Sequence, residues 1–335
     1  METTAENGSG LLELPAELAD SETAADEALR MLEALERSSA EDEADGDETT
    51  LEAEAEGAPA TAKGPPVPAY DLIAVDLDGT LIRSDRRLNK RDVRAIQQAT
   101  AAGVKVVLCT ARPPRTVREV YRMLGLGTLM VNYNGAMIRQ PATGENLLHL
   151  PLDGELVREV VEVAREDEPD LLVNLEVQDK WYTDRFDPQL TTATAATHPP
   201  DVVGPLDEVY GQPVTKLMLL AEPERLGPVR AKVARQFRNR VTVVMSDEHM
   251  AQIVHPAVDK GFALAWVAGC YGVTPDRVMA IGDAPNDAGM LRWAGLGVAV
   301  DNAWREAMDA ADVVVPSNDE SGVAAAIRRY ALGEA

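Results

Sequence analysis

Two acidic clusters hold the residues of this chain best suited to chemistry, and each follows an apolar run. Asp76-Leu77-Asp78-Gly79-Thr80 comes after residues 72–75, and Gly282-Asp283-Ala284-Pro285-Asn286-Asp287 comes after residues 278–281. The acids fall where apolar strands should end, and in open α/β sheets the carboxyl ends of strands are where ligands bind. Carboxylates packed together repel one another and need a cation or a shared proton. The first cluster therefore reads as a Mg²⁺ site with a nucleophilic aspartate, or as a plain turn, because Asp-Gly is common turn chemistry. The second, alone, reads as a loop with a helix cap. Taken together they supply the oxygen ligands that a hard cation requires. Thr110, ending the apolar run 106–109, adds a hydroxyl and a backbone amide. Lys260, in Val258-Asp259-Lys260-Gly261, adds positive charge that can counter a phosphate. Alone, such a Thr is more often a helix cap, and a lone Lys is more often a solvated surface charge.

The elements that must position these groups follow from periodicity. Residues 70–78 and 104–110 are near-continuous apolar strands, separated by a helix that Asn89 caps and Gly103 ends. A helix to Leu124 and a strand at 129–131 follow, leading to Asn132-Tyr133-Asn134-Gly135. Strands at 278–281, 297–300 and 313–315 alternate with helices at 287–294, 304–310 and 322–332. Apolar strands alternating with helices predict a parallel sheet covered on both faces. Between the two halves, a helix at 155–165, strands at 171–177 and 180–183, a strand at 215–220, a helix at 224–237 and strands at 241–245 and 250–254 predict an antiparallel α+β module. The fold class is thus α/β: a Rossmann-like parallel-sheet core, 70–147 and 256–335, interrupted by an α+β cap, 148–255.

Charge is unevenly spread. Of the net −24, residues 1–69 carry −16, from 19 acidic and 3 basic residues. Residues 40–60 have almost nothing to bury, which predicts a disordered acidic tail, joined to the fold by a stiff Pro-rich linker at 64–68. Leu29, Leu32 and Leu35, with Ala25 and Ala28, recur at helical spacing inside it. This spacing predicts a transient helix, or one that docks on a protein partner. The remainder, at −8, lacks the clustered Lys and Arg that phosphate backbones demand, which argues against nucleic acid. Cys109 and Cys270 stand far apart, the N-terminus has no signal-peptide pattern, and no apolar run is long enough to span a membrane. A cytoplasmic protein is expected. The four histidines show no metal-ligand spacing.

In this order, the four elements resemble the haloacid dehalogenase-like superfamily of phosphotransferases. Its pattern is Asp-x-Asp-x-Thr, then Ser/Thr after the second strand, then Lys, then Gly-Asp-x-x-x-Asp. The corresponding residues are Asp76, Asp78 and Thr80; Thr110; Lys260; and Gly282-Asp283 with Asp287. Likeness to the Cof-type branch is closer still, through Asn134-Gly135-Ala136, Lys260-Gly261, Asn286-Asp287 and residues 297–303. The resemblance covers residues 70–332. Two departures stand out: Ala111 where the branch has Gly, and Asp301 where it usually has Gly.

The resemblance implies a Mg²⁺-dependent phosphatase of small phosphorylated metabolites, such as sugar, nucleotide or cofactor phosphates, working through an aspartyl-phosphate. Asp76 would be the nucleophile and Asp78 the general acid and base. Asp76, the Asp78 carbonyl and Asp283 would hold Mg²⁺, with Asp287 a further ligand or an orienting group. Thr110, Lys260 and Asn286 would hold phosphoryl oxygens, and Arg112 and Asn134 would touch substrate. The cap would read the leaving group, with Glu176, Gln178, Lys180, Tyr182 and Lys216 as candidates. Two other readings stay open: phosphomutase-type transfer, and a non-catalytic domain that binds phosphate or a partner.

Overall fold

The computed structural model describes residues 68–334, apart from 188–189, 191–194 and 196. The expected acidic tail, with its periodic stretch and most of its linker, lies outside the described residues. The chain runs through β1 (Leu72–Val75), α1 (Lys90–Ala101), β2 (Lys105–Leu108), α2 (Pro114–Leu124) and β3 (Met130–Asn132). Two short strands follow, β4 (Met137–Arg139) and β5 (Asn146–His149). Next come α3 (Gly154–Asp167), β6 (Leu172–Val177), β7 (Lys180–Thr183), β8 (Val202–Val203), β9 (Lys216–Leu220), α4 (Pro223–Gln236), β10 (Thr242–Asp247) and β11 (Met250–Val254). The chain closes with α5 (Lys260–Cys270), β12 (Val278–Gly282), α6 (Ala288–Trp293), β13 (Leu296–Val300), α7 (Arg305–Met308), β14 (Val313–Val315) and α8 (Gly322–Ala326).

Five parallel strands form the central sheet in the order β14-β13-β12-β1-β2. Both faces are covered. Leu72 and Ala74 pack toward α5 and α6, while Ile73 and Val75 pack toward α1, α2 and α8. This period-two division is why β1 is apolar throughout, each fully buried Leu, Ile or Val contributing about 1.5–3 kcal/mol. Asn89 does cap α1, accepting from the Arg91 amide at 3.0 Å. From β1 the chain moves one way to β2, and the other way lie β12 to β14. The crevice between β1 and β12 is the point where strand order reverses, and Val75 is level with Ile281 there.

The expected strand at 129–131 is β3, but it heads an antiparallel three-stranded sheet, β3-β4-β5. It joins the central sheet through the Cys109–Val131 bridge and the Thr110 amide on the Val131 carbonyl at 3.0 Å. Strands β4 and β5 span three and four residues, too short for a periodic signal.

Residues 172–254 build a second sheet, in the order β10-β11-β9-β6-β7-β8, antiparallel except for the β7–β8 pair. Helices α3 and α4 cover one face, where Val157, Val160, Leu226 and Val229 meet Val173, Leu175, Leu217 and Leu219. The opposite face carries the buried polar residues Asn174, Glu176, Lys216 and Gln252. It is turned toward the carboxyl end of the central sheet.

Candidate active site

Asp76 leaves β1 with its amide on the Ile281 carbonyl at 3.0 Å, which sets its carboxylate over the crevice beside β12. Lys260 reaches it from the first turn of α5, a helix capped by Asp259, whose Oδ1 accepts from the Gly261 and Phe262 amides at 2.7 and 3.0 Å. The Lys260 ammonium, 1% exposed, lies 2.6 Å from Asp76 Oδ1 and 2.6 Å from Asp287 Oδ1. The other oxygen of Asp287 accepts the amides of Asp283 and Ala284 at 3.0 and 2.9 Å, folding the 282–287 turn around itself. Thr80 Oγ1 donates to Asp283 Oδ1 at 2.7 Å. Gly79 is required here. It sits at φ +88°, and a Cβ on it would lie 2.3 Å from Asp283 Oδ2.

Asp76, Asp283 and Asp287 thus present carboxylate oxygens that all lie within 4.8 Å of one another, every one of the three residues buried. Fully ionised, they carry three negative charges against the single ammonium of Lys260. Burial pushes the Asp76 carboxyl well above its usual range, against the pull of Lys260. Burial and then the charge of Asp287 push Asp283 up to about 7. For Lys260, burial opposes the charge, but Asp287 and Asp76 outweigh it and hold the ammonium protonated. Repulsion of this kind is relieved by a divalent cation, and an all-oxygen donor set suits a hard one. Asp287 has both oxygens engaged by protein donors, whereas Asp76 and Asp283 each keep one oxygen with no protein donor among the described residues. The donor set therefore fits a metal held chiefly by Asp76 and Asp283.

Asp78 lies two residues on, with its side chain 54% exposed. Both its oxygens are engaged by Arg112, Nε on Oδ2 at 2.7 Å and the second nitrogen on Oδ1. Thr110 is buried beside the cluster. Its Oγ1 accepts from the Arg112 amide at 3.1 Å, and its carbonyl accepts from the Asn134 amide at 3.0 Å. Ala111 has no positive φ, so the turn needs no glycine there. The strain lies one loop away: Tyr133 and Asn134 sit at φ +53° and +60°, a region that side chains rarely adopt. That turn brings Asn134 Oδ1 to 2.8 Å from Asn286 Nδ2. Asn134 Nδ2 and Asn286 Oδ1 are buried with no protein partner, leaving a donor and an acceptor for another molecule. The structure thus brings together Asp76, Asp283, Asp287 and Lys260, ties Asp78 to Arg112, and joins Thr110, Asn134 and Asn286 in the adjoining loops.

The cap candidates separate by strand parity. Glu176 and Lys216 face the core and are buried. Tyr182 packs with the helix-covered face, and Lys180 is exposed on the same side. Gln178 takes the β6–β7 turn at φ +56°, its carbonyl accepting from the Tyr133 hydroxyl. Sequence reasoning missed Arg115, whose two terminal nitrogens pair with the two oxygens of Glu176 at 2.6 and 2.7 Å. It also missed Asp179, which accepts the Arg115 amide at 2.8 Å. No local pattern marks these two, because each acquires its role from a partner about sixty residues away. Asn302 was legible only inside the 297–303 motif. Its Nδ2 donates to the Gly79 carbonyl at 2.8 Å and steadies the Asp78-Gly79 turn.

The sequence model of the haloacid dehalogenase-like hydrolases matches residues 73–327. The chain belongs to this family. Among its relatives is the 5-amino-6-(5-phospho-D-ribitylamino)uracil phosphatase YitU of Bacillus subtilis, 30% identical over 269 residues, which cover 77% of this chain and 97% of YitU. The HMP-PP phosphatase of Cronobacter sakazakii is 29% identical over 234 residues, covering 69% of this chain and 84% of that protein. Among solved structures, a haloacid dehalogenase-like hydrolase from Bacteroides thetaiotaomicron superposes with a TM-score of 0.70 at 28% identity, covering 78% of this chain and 99% of that one. As a family member the chain is a hydrolase. No helix among the described residues is long and apolar enough to cross a membrane.

Proposed function

We propose that this hydrolase is a Mg²⁺-dependent phosphomonoesterase of small phosphorylated metabolites, working through a phosphoryl group carried on Asp76. The observation that carries the reading is the buried Lys260 bridging Asp76 and Asp287, with Asp283 in the same cluster at the reversal point of the sheet. Phosphatase relatives that align over most of their length support it.

A carboxylate oxygen of Asp76 attacks phosphorus, replacing one hard displacement by two easier ones. Lys260 fixes the carboxylate, so the nucleophile is aimed before substrate arrives. Asp78 protonates the departing alkoxide and then takes the proton of the attacking water. With both its oxygens accepting from Arg112, that role requires the pair to part when substrate binds. The Thr110 hydroxyl and the second Nδ2 hydrogen of Asn286 donate to the phosphoryl oxygens, and Lys260 adds positive charge where charge builds up. Mg²⁺, held by Asp76, Asp283 and the Asp78 carbonyl, would neutralise the phosphoryl charge. Asp287 positions Lys260 and the 282–287 turn.

Residues 70–147 and 256–335 make the catalytic unit, and 148–255 the cap that closes over it and excludes water. The unpaired Cys109 and Cys270 support a cytoplasmic setting. Phosphate release from a panel of phosphorylated metabolites, with Mg²⁺ or EDTA, tests the reading in the wild type and Asp76→Asn. Release that requires Mg²⁺ and disappears in the variant is expected. Full activity in Asp76→Asn would sink the nucleophile assignment, and no release from any compound would favour a binding role.

A further inference from the structure

The face of the cap sheet turned to the core holds one buried cation that makes no ion pair among the described residues. Lys216 pairs in register with Glu176 and is 4% exposed. Its ammonium donates to the Ala111 carbonyl at 3.2 Å and stands 5.2 Å from the centre of the Tyr133 ring. An ammonium has three donors. No ion pair joins it to Glu176, whose two oxygens are engaged by Arg115 at 2.7 and 2.6 Å. Arg115 in turn keeps its buried Nε without a partner. Two neighbouring cations therefore hold unspent donors at the seam, although Asp179 also stands 3.7 Å from a terminal nitrogen of Arg115. A buried charge left this way is costly unless an anion arrives to share it. Burial accordingly pulls the Lys216 ammonium down to about 8, with Glu176 opposing and Arg115 reinforcing.

The position selects the source of that anion. Ala111 lies between Thr110 and Arg112, so Lys216 sits beside the loop expected to hold the phosphoryl group. It comes from the cap sheet, however, not from the central sheet and helix that carry Asp76 and Lys260. We propose that Lys216 is a specificity residue that binds an anionic oxygen on the leaving-group half of the substrate, a carboxylate or second phosphate, with Arg115 Nε beside it. This rests on the phosphomonoesterase reading and names the substrate class within it: esters whose alcohol carries its own anion.

The test uses two esters that differ in one group, 3-phosphoglycerate and glycerol 1-phosphate, with the full-length protein. In the wild type, kcat/KM should favour 3-phosphoglycerate by about tenfold or more, mostly through KM, as loss of one charge-assisted hydrogen bond in a buried site implies. In Lys216→Met the ratio should fall about tenfold or more. In Lys216→Gln, which keeps donors but no charge, it should fall by a similar factor. A purely structural tie would lower both esters equally and leave the ratio unchanged, which would overturn the proposal. So would a wild-type ratio of one or less, a result that needs no variant to fold. Calorimetric binding of the two esters to Asp76→Asn, with and without Lys216→Met, separates the two claims. Lys216-dependent preference in binding without turnover keeps the specificity assignment while the phosphatase reading falls. Equal binding of both esters removes the assignment whatever the turnover.

Discussion

Asp179 offers the sharpest test of how the cap is fastened. Helix α2 begins at Pro114, and its N-cap, Pro113, has no side chain that can accept a hydrogen bond. The first amides of a helix lack intrahelical partners. Asp179, from the β6–β7 turn, fills that vacancy from another sheet, its Oδ1 2.8 Å from the Arg115 amide. It also pairs with Arg118, and with Arg139 at 3.4 Å, while its side chain is only 16% exposed. The capping bond is worth about 1 kcal/mol. The charge, near a helix N-terminus and beside arginines, is worth about another 1 kcal/mol. Asp179→Ala should therefore cost about 2 kcal/mol of seam stability, about 30-fold in the opening equilibrium. Hydrogen exchange at the Arg115 amide reads it directly, since that amide is the donor. Asp179→Asn should keep the cap and lose the charge, for about a fivefold change. Added salt should erode the wild-type protection and leave that of Asp179→Ala nearly flat. A change under threefold in the alanine variant would refute the reasoning and assign the seam to its apolar contacts alone.

Three further perturbations address the core. Gly79→Ala puts a methyl group 2.3 Å from Asp283 Oδ2 in a backbone region unfavourable to alanine, and should lower turnover by at least about 100-fold with the fold retained by circular dichroism. Lys260→Met leaves Asp76 and Asp287 buried without their common cation and should destabilise the chelated protein by about 3–5 kcal/mol in urea titration, with added Mg²⁺ restoring part of the loss. Asp92, on α1, has one oxygen on the Ala324 amide at 2.7 Å and the other buried without a partner, and burial raises its carboxyl to about 6. Between about pH 4 and 6 the folded state keeps a proton that the unfolded state has released, so this group makes stability fall as pH rises through that window. Asp92→Asn should remove that part of the slope in denaturant titrations across pH 4–7.

The central sheet was legible because the physics that forms it is local. Four-residue apolar runs such as 72–75 must be buried on both faces, and the helix between the first two carries its start and stop in the sequence, at Asn89 and Gly103. The acidic cluster was legible for a similar reason: Asp76 and Asp283 are fixed by the strand ends that precede them. What the sequence could not show is pairing across distance. Arg115 and Glu176 lie 61 residues apart, and each alone resembles any surface charge. The engagement of Asp78 by Arg112 joins residues 34 apart whose loops meet only after β1 and β2 pair. Among the cap candidates, Lys180 and Lys216 look alike in sequence. Strand parity alone puts one in solvent and the other against the core.

The loop 110–112 joins these two kinds of information. Its backbone is held from the core side by Asn132 and Tyr133, which donate to the Arg112 carbonyl at 3.1 and 3.3 Å. From the cap side, Lys216 holds the Ala111 carbonyl. The same three residues carry Thr110, beside the acidic cluster, and the guanidinium that holds Asp78. Displacing the cap sheet therefore removes a hydrogen bond from the segment that positions both groups, and misplacement by about 1 Å near reacting atoms can cost about 100-fold. Seam residues that never touch a phosphoryl group should thus alter kcat as well as KM. Arg115→Ala, which also strands Glu176, should do so more strongly than removing the exposed Lys180, although both substitutions delete one positive charge.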